Sequence, residues 1–265
     1  MPARPLADCP RAVLAGLAGV LTDIDDTLTR DAVIEPAALA ALEALHAAGL
    51  PVIAVTGRPM GWSVPFAQAW PVRAIVAENG AVALFRDAQG ALQTEYLQDE
   101  ATRTHNARRL AAVAQRVLAE VPGATLARDS AGRVTDIAVD HAEFAALDAA
   151  RIAAVVALMR AEGMNATVSS IHVNGWFGSH DKLAGARWIV RRLLGRTLDD
   201  EAARWAYVGD STNDQVMFAH FPCSVGVANL RDFAAQLQVW PAWVTAGARG
   251  AGFAEFAAAL LDARR

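Results

Sequence analysis

The chain has 265 residues, 54% of them hydrophobic, with a formal net charge of −4 and a pI near 5.9. That length and apolar content suffice for a sizeable core and allow one large domain or one domain carrying an insertion. The acidic balance argues against nucleic acid as a main partner, no apolar run approaches the roughly 20 residues that a membrane span needs, and the first apolar stretch runs into aspartates instead of a signal-peptide cleavage site; a cytoplasmic location without membrane attachment is the expectation.

In chain order, GVLTD (19–23) reads as a buried strand ending in charge. EPAALAALEALHAAGL (35–50) reads as a helix, with a proline in its first turn, leucines 39, 42 and 45 on one face and Gly49 near its end. PVIAVTG (51–57) and RAIVAENG (73–80) are further strand-like runs. The middle reads differently: 101–122 and 141–162 as alanine-rich helices, RVTDIAVD (133–140) and NATVSSIHV (165–173) as alternating, half-exposed strands. Residues 86–174 are therefore predicted to be an inserted α/β domain with a sheet open on one face, between core segments 1–85 and 175–265. RWAYVGD (204–210), CSVGVAN (223–229) and WVTAG (243–247) return to the strand pattern. The fold class is α/β, a doubly wound parallel sheet with helices on both faces. Cys9 and Cys223 have no metal-ligand spacing, and Cys223 reads as a core residue. Arg103, Arg108 and Arg109 read as a solvated helix face.

An open parallel sheet binds ligands beyond the carboxyl ends of its strands, which singles out Asp23, Thr56, Asn79 and Asp210. In LTDIDDTLT (21–29), three aspartates within four positions repel one another unless a cation or hydrogen bonds offset them. In extended backbone Asp23 and Asp25 address one side and Asp26 another, which suits a nucleophile and a proton donor; the alternative is an acidic loop with Asp25 or Asp26 capping a turn. YVGDSTND (207–214) adds Asp210, Asn213 and Asp214, an oxygen-only set that favours magnesium. VTGR (55–58) offers the Thr56 hydroxyl and the backbone amides of Gly57 and Arg58 to an anion, and Lys182 opens a helix whose N-terminus favours one. Taken singly, the first is as consistent with a turn and the second with a solvated lysine.

The ordered set D-I-D-D-T-L-T, V-T-G-R, D-K-L-A-G-A, G-D-S-T-N-D resembles the four signature motifs of the haloacid dehalogenase-like (HAD) hydrolase superfamily. AENGA (77–81), the DK pair and the insertion between the second and third motifs resemble its Cof-type or IIB branch, which includes sugar-phosphate phosphatases and phosphomannomutases. The resemblance implies a Rossmann-like core with a cap domain over the site. It implies Asp23 as nucleophile through an aspartyl-phosphate, Asp25 as general acid and base, and Thr56 and Lys182 on the phosphoryl oxygens. It implies Mg2+ on the Asp23 carboxylate, the Asp25 carbonyl and Asp210, with Asn213 and Asp214 supporting the metal shell or the lysine. Thr27 would contact the phosphoryl group or the loop backbone. Asp26 stands where many relatives have glycine and has no assigned role.

The implied reaction is magnesium-dependent hydrolysis of a small phosphorylated metabolite, with a sugar phosphate favoured. The alternatives are a phosphomutase and a non-catalytic phosphate sensor, the latter disfavoured because a binding module needs no acid/base carboxylate. His172, Asn174, Trp176, Phe177 and His180, in IHVNGWFGSH (171–180), are the candidate substrate contacts, a structural hinge being the other reading. Oligomeric state is not legible.

Overall fold

The computed structural model describes residues 3–265. Its main sheet has nine strands in the order Arg4–Pro5, Trp243–Val244, Cys223–Gly226, Trp205–Gly209, Gly19–Thr22, Val52–Val55, Ala74–Ala77, Val82–Arg86 and Leu92–Tyr96. The first seven pair in parallel and the last two antiparallel.

Side-chain alternation along these strands supplies two cores. Val20, Val52, Ala54 and Val208 pack with Leu42 and Leu45 of the helix Pro36–Ala47 and with Phe253 and Phe256 of Arg249–Ala263. Leu21, Ile53, Val55 and Tyr207 pack on the other face with Leu183 and Ile189 of Lys182–Leu194 and with Phe218 of Gln215–His220. Each such side chain, fully buried, stabilises the fold by about 1.5–3 kcal/mol. Cys223 lies in the first core; it and Cys9 are free thiols, and burial, with Cys9 beside it, pushes the Cys223 thiol up to about 12. Among the described residues no helix is long and apolar enough to cross a membrane.

A second, antiparallel sheet has the order Asn165–Val168, His172–Trp176, Asp136–Asp140, Thr125–Leu126. Val139 and Val173 pack with Leu110, Val113 and Val117 of the helix Glu100–Glu120 and with Val155 and Met159 of Ala149–Ala161. Asp99 and Asp148 start those helices by accepting the backbone N–H of Thr102 and Arg151. The opposite face carries Asp136, Asp140, His172 and Asn174, all buried against the strand ends of the main sheet.

Three sequence expectations shift. Residues 141–148 form a loop, not the start of a helix, because the Asp140 carboxylate accepts the N–H groups of Ala142, Glu143 and Phe144 and winds the chain there. NATVSSIHV is not one strand: Asn165–Val168 and His172–Trp176 pair across a turn at 169–171. The boundaries at 86 and 174 cut through paired elements, since Leu92–Tyr96 belongs to the main sheet and His172–Trp176 lies wholly in the small one. The chain therefore passes between the sheets near 97–99 and 177–181. The three arginines read as a solvated face do lie at the surface, Arg108 and Arg109 exposed and Arg103 half-buried, and Arg103 and Arg109 also lie over the rings of Tyr96 and Phe177, at 3.9 and 3.6 Å.

Two contacts seat these parts on one another. Gly185 passes so close to Gly80 (φ +108°) that a Cβ at 185 would lie 2.4 Å from the Gly80 Cα, which fixes how the helix beginning at Lys182 approaches the sheet. Glu78, at the end of Ala74–Ala77, accepts the N–H of Met60 in the core and those of Val134 and Thr135 in the small domain, together with the Thr135 hydroxyl. Burial, reinforced by the Asp136 charge, pushes its carboxyl up to about 7.

Gly185→Ala is expected to cost about 1–3 kcal/mol by overpacking, read as a lower urea midpoint; an unchanged midpoint would mean the two segments separate freely. The folded chain retains on Glu78 a proton that the unfolded chain releases near 4.5, so this group's contribution to stability falls as pH rises from there to about 7. Urea midpoints of Glu78→Gln should therefore decline less steeply with pH over that window than those of the wild type; parallel profiles would contradict the assignment.

Candidate active site

The strand ends bring the predicted residues together around a buried lysine. Asp23 follows Gly19–Thr22, and its N–H donates to the Val208 carbonyl at 2.8 Å, which locks the loop to the neighbouring strand. Lys182 begins its helix behind Asp181, whose carboxylate accepts the Ala184 N–H at 2.7 Å. The Lys182 ammonium, 2% exposed, donates to Asp23 Oδ1 and Asp214 Oδ1, each at 2.7 Å, and to Asn213 Oδ1 at 3.3 Å. Burial works against its charge, but the carboxylates of Asp214 and Asp23 hold it above the ordinary lysine range. Asp23 itself is pushed up to about 8, by burial and by the charges of Asp214 and Asp25, with Lys182 opposing.

Asp214 holds the lysine. Its Oδ1 also accepts the Tyr207 hydroxyl, and its Oδ2 accepts the N–H of Asp210 and Ser211 at 2.9 and 3.1 Å. Asn213 is similarly engaged, its Oδ1 taking the Ser211 hydroxyl as well as Lys182. The Asp210 carboxylate differs: the two hydrogen bonds it accepts among the described residues, from Thr27 Oγ1 and Asn229 Nδ2, are both long at 3.4 Å. Burial and the charges of Asp23, Asp214 and Asp26 push its carboxyl well up. Carboxylate oxygens of Asp23, Asp210 and Asp214 lie within 4.8 Å of one another. Asp23 and Asp210 thus form a buried, under-compensated anionic pair that a hard divalent cation fits.

Asp25 faces the small domain. Arg58 Nε donates to both of its oxygens at 2.9 and 3.0 Å, and the guanidinium continues to Asp129 at 3.2 Å and Glu143 at 2.8 Å. Glu143 also pairs with His172 at 2.9 Å, and His172 and Arg58 together hold its carboxyl down at about 2 against the effect of burial. Three carboxylates therefore surround the Arg58 guanidinium. The Thr56 hydroxyl accepts the Arg58 N–H at 3.0 Å, turning the loop after its strand. Gly57 lies beneath Asn174 and Asn79, where a Cβ would come within 3.2 Å of Asn174 Oδ1. Asn174 donates to the Gly57 carbonyl and to Asp136.

Asp26 acquires a structural role. It sits at φ +53°, a left-handed backbone that favours glycine, and its carboxylate accepts from Arg249 Nε at 2.7 Å at the start of the last helix. Trp176, a candidate substrate contact, donates its indole N–H to the His180 carbonyl at 2.8 Å, bracing the connecting segment. Asn229, Glu143 and Asp129 escaped sequence reading. Asn229 follows a strand end as Asp210 does, whereas Glu143 and Asp129 lie on cap loops without any local signal.

The gap between Asp23, Asp25, Gly57, Asn174 and Asn213 holds only about 10 Å³, so the small domain is closed directly onto Asp23 and Asp25.

The sequence model of the haloacid dehalogenase-like hydrolases matches residues 20–109, the segment that carries the first two motifs. No curated protein matches the chain. Among solved structures, a Thermoplasma acidophilum protein aligns over 92% of this chain and 98% of its own, at TM-score 0.69 and 15% identity. A Plasmodium vivax protein described as a HAD/COF-like hydrolase aligns over 95% and 99%, at TM-score 0.67 and 17% identity. The sucrose-phosphatase of Synechocystis, solved with sucrose and phosphate, aligns over 92% and 98%, at TM-score 0.63 and 14% identity. At such identities the likeness is one of fold, and it extends along nearly the whole chain. The family match covers the loop bearing Asp23 and Asp25, and the structural likeness adds that the fold is shared along the rest of the chain.

Proposed function

We propose that the protein is a divalent-metal-dependent phosphomonoesterase acting on a small phosphorylated metabolite, with a sugar phosphate as the favoured class. The observation that carries this reading is the pairing of two carboxylates in different settings. Asp23 is held at one oxygen by a buried ammonium, and Asp25, two residues on, is held by Arg58 toward the small domain. One is placed to attack and the other to manage a proton. The sucrose and phosphate in the fold-related Synechocystis structure support the sugar-phosphate class.

Asp23 attacks the phosphorus while the bond to the leaving oxygen breaks, and that oxygen takes a proton from Asp25. Asp25 then accepts a proton from water as the water oxygen attacks the aspartyl-phosphate, releasing phosphate and regenerating Asp23. Lys182 neutralises charge on the phosphoryl oxygens, and Thr56 and Gly57 shape the loop that borders them. Magnesium, bound by Asp23 and Asp210 with the Asp25 carbonyl, would supply further positive charge to those oxygens. Asp214 and Asn213 keep Lys182 in place.

Asp23→Asn should lower phosphate release by about a thousandfold or more while the protein stays folded; retained activity would remove Asp23 as nucleophile. Asp25→Asn should cost about 10²–10⁴ with an alkyl phosphate. The first-turnover burst of p-nitrophenolate from p-nitrophenyl phosphate, whose departure needs no proton, should be slowed far less, because Asp25 then acts only as base in the second step; a burst slowed as much as release of the alkyl alcohol would contradict the acid role. Chelation should abolish turnover, and magnesium should restore it; activity indifferent to chelator would refute metal dependence. Formation of an isomerised sugar phosphate in place of inorganic phosphate would identify a mutase.

A further inference from the structure

Arg133, on the small domain just before the strand Asp136–Asp140, sends a buried side chain across the joint between the two sheets. The chain on either side of it is pinned to the core. Gly132 lies so close to Gly61 that a Cβ at 132 would come within 3.2 Å of the Gly61 Cα, and the N–H groups of Val134 and Thr135 donate to Glu78. The Arg133 side chain, 2% exposed, donates through Nη1 to the Gly57 carbonyl at 3.0 Å and to both Asp136 oxygens at 2.8 Å, and through Nη2 to Asp129 at 3.2 Å. Burial works against its charge, but Asp136, Asp129 and Glu78 hold it above the ordinary arginine range.

Two of those contacts lead to groups that the proposed reaction uses. The Gly57–Arg58 peptide is held at both ends: its N–H donates to the Thr56 hydroxyl at 3.0 Å, and its carbonyl accepts from Arg133 and, at 3.3 Å, from Asn174, so the carbonyl oxygen points to the small domain. Of the two amides expected to face an anion, that of Arg58 is thus engaged by Thr56, which leaves the Gly57 N–H for a phosphoryl oxygen. Asp129 carries the second link. Its Oδ1 accepts from Arg133 and its Oδ2 from Arg58, each at 3.2 Å, and Arg58 Nε donates to both oxygens of Asp25.

We propose that Arg133 is a positioning residue for the reaction: one guanidinium from the small domain orients the Gly57–Arg58 peptide and, through Asp129 and Arg58, the Asp25 carboxylate, so that the phosphoryl-binding turn and the proton-managing group are set together. Apolar side chains of the same volume would stabilise such a buried spot as well or better, so what the guanidinium adds is geometry. This role rests on the phosphomonoesterase reading for the use made of Asp25; the link from Arg133 to Asp25 does not.

Arg133→Lys keeps the charge, but a single ammonium cannot span the Gly57 carbonyl, Asp136 and Asp129 together. Its kcat for an alkyl phosphate should fall about a hundredfold, the effect of displacing reacting groups by about 1 Å, while the first-turnover burst of p-nitrophenolate is slowed less. Asp129→Asn, which cuts only the link to Arg58, should slow alkyl release and spare the burst. Unchanged kcat in both variants, or alkyl release and burst slowed equally in both, would overturn the role. A double-mutant cycle needs no turnover: the urea-midpoint shifts of Arg133→Lys and Asp25→Asn should together exceed the shift of the double variant, since both act on Arg58, and additive shifts would overturn the link. A wild type that hydrolyses no phosphomonoester would defeat the phosphatase reading, while the cycle still decides whether Arg133 and Asp25 are linked.

Discussion

A buried ammonium between two buried carboxylates is the constraint on which the rest of the structure depends. Lys182 is nearly inaccessible to water, and its charge persists only because Asp23 and Asp214 lie 2.7 Å away on either side. Removing one partner from such a set leaves an uncompensated buried charge, which is far more costly than never having buried the group. Several unrelated-looking features follow from this. Asp214 is tied by Tyr207 and by the backbone N–H groups of Asp210 and Ser211, and Asp181 starts the helix at the right residue. Gly80 and Gly185 permit that helix to approach the strand ends closely enough for the lysine to reach.

The same charge arithmetic sets the division of labour among the acidic residues. Asp214 has every oxygen engaged and serves the lysine, while Asp210 has only long hydrogen bonds and faces Asp23, leaving those two as the pair that a cation would neutralise. Asp25 belongs to another network, running through Arg58 to Glu143 and His172 on the small domain. Asp25, the proposed acid and base, is thus held by a guanidinium that the small domain also grips. Closure of the cap and placement of Asp25 are one event in this geometry. Glu78, reaching across to Val134 and Thr135, fastens the other edge of the same joint.

The residues legible in the sequence are those presented by strand ends. Asp23, Thr56, Asn79 and Asp210 each follow an apolar run, and the periodicity that marks the run also locates its end. The helix over 35–50 was legible for a similar reason, its proline start and apolar stripe being local signals. The cap residues were not. Glu143 reaches Arg58 only because Asp140 winds residues 141–148 into a loop, against an alanine-rich background that reads as helix. The turn at 169–171 was hidden within a continuous alternating pattern that would serve equally well as one strand. Arg58 shows the same limit from the core side: its position after Thr56 is readable, but its three carboxylate partners come from segments up to 85 residues away.

The central claim is that Asp23 becomes covalently phosphorylated. Rapid acid quenching during turnover of a phosphomonoester, followed by borohydride reduction and peptide mass mapping, converts an aspartyl-phosphate into homoserine at the labelled position. The account predicts homoserine at residue 23, and its absence from an Asp25→Asn sample not given substrate. Phosphate release without any modification at Asp23, or with the modification at another carboxylate, would contradict it.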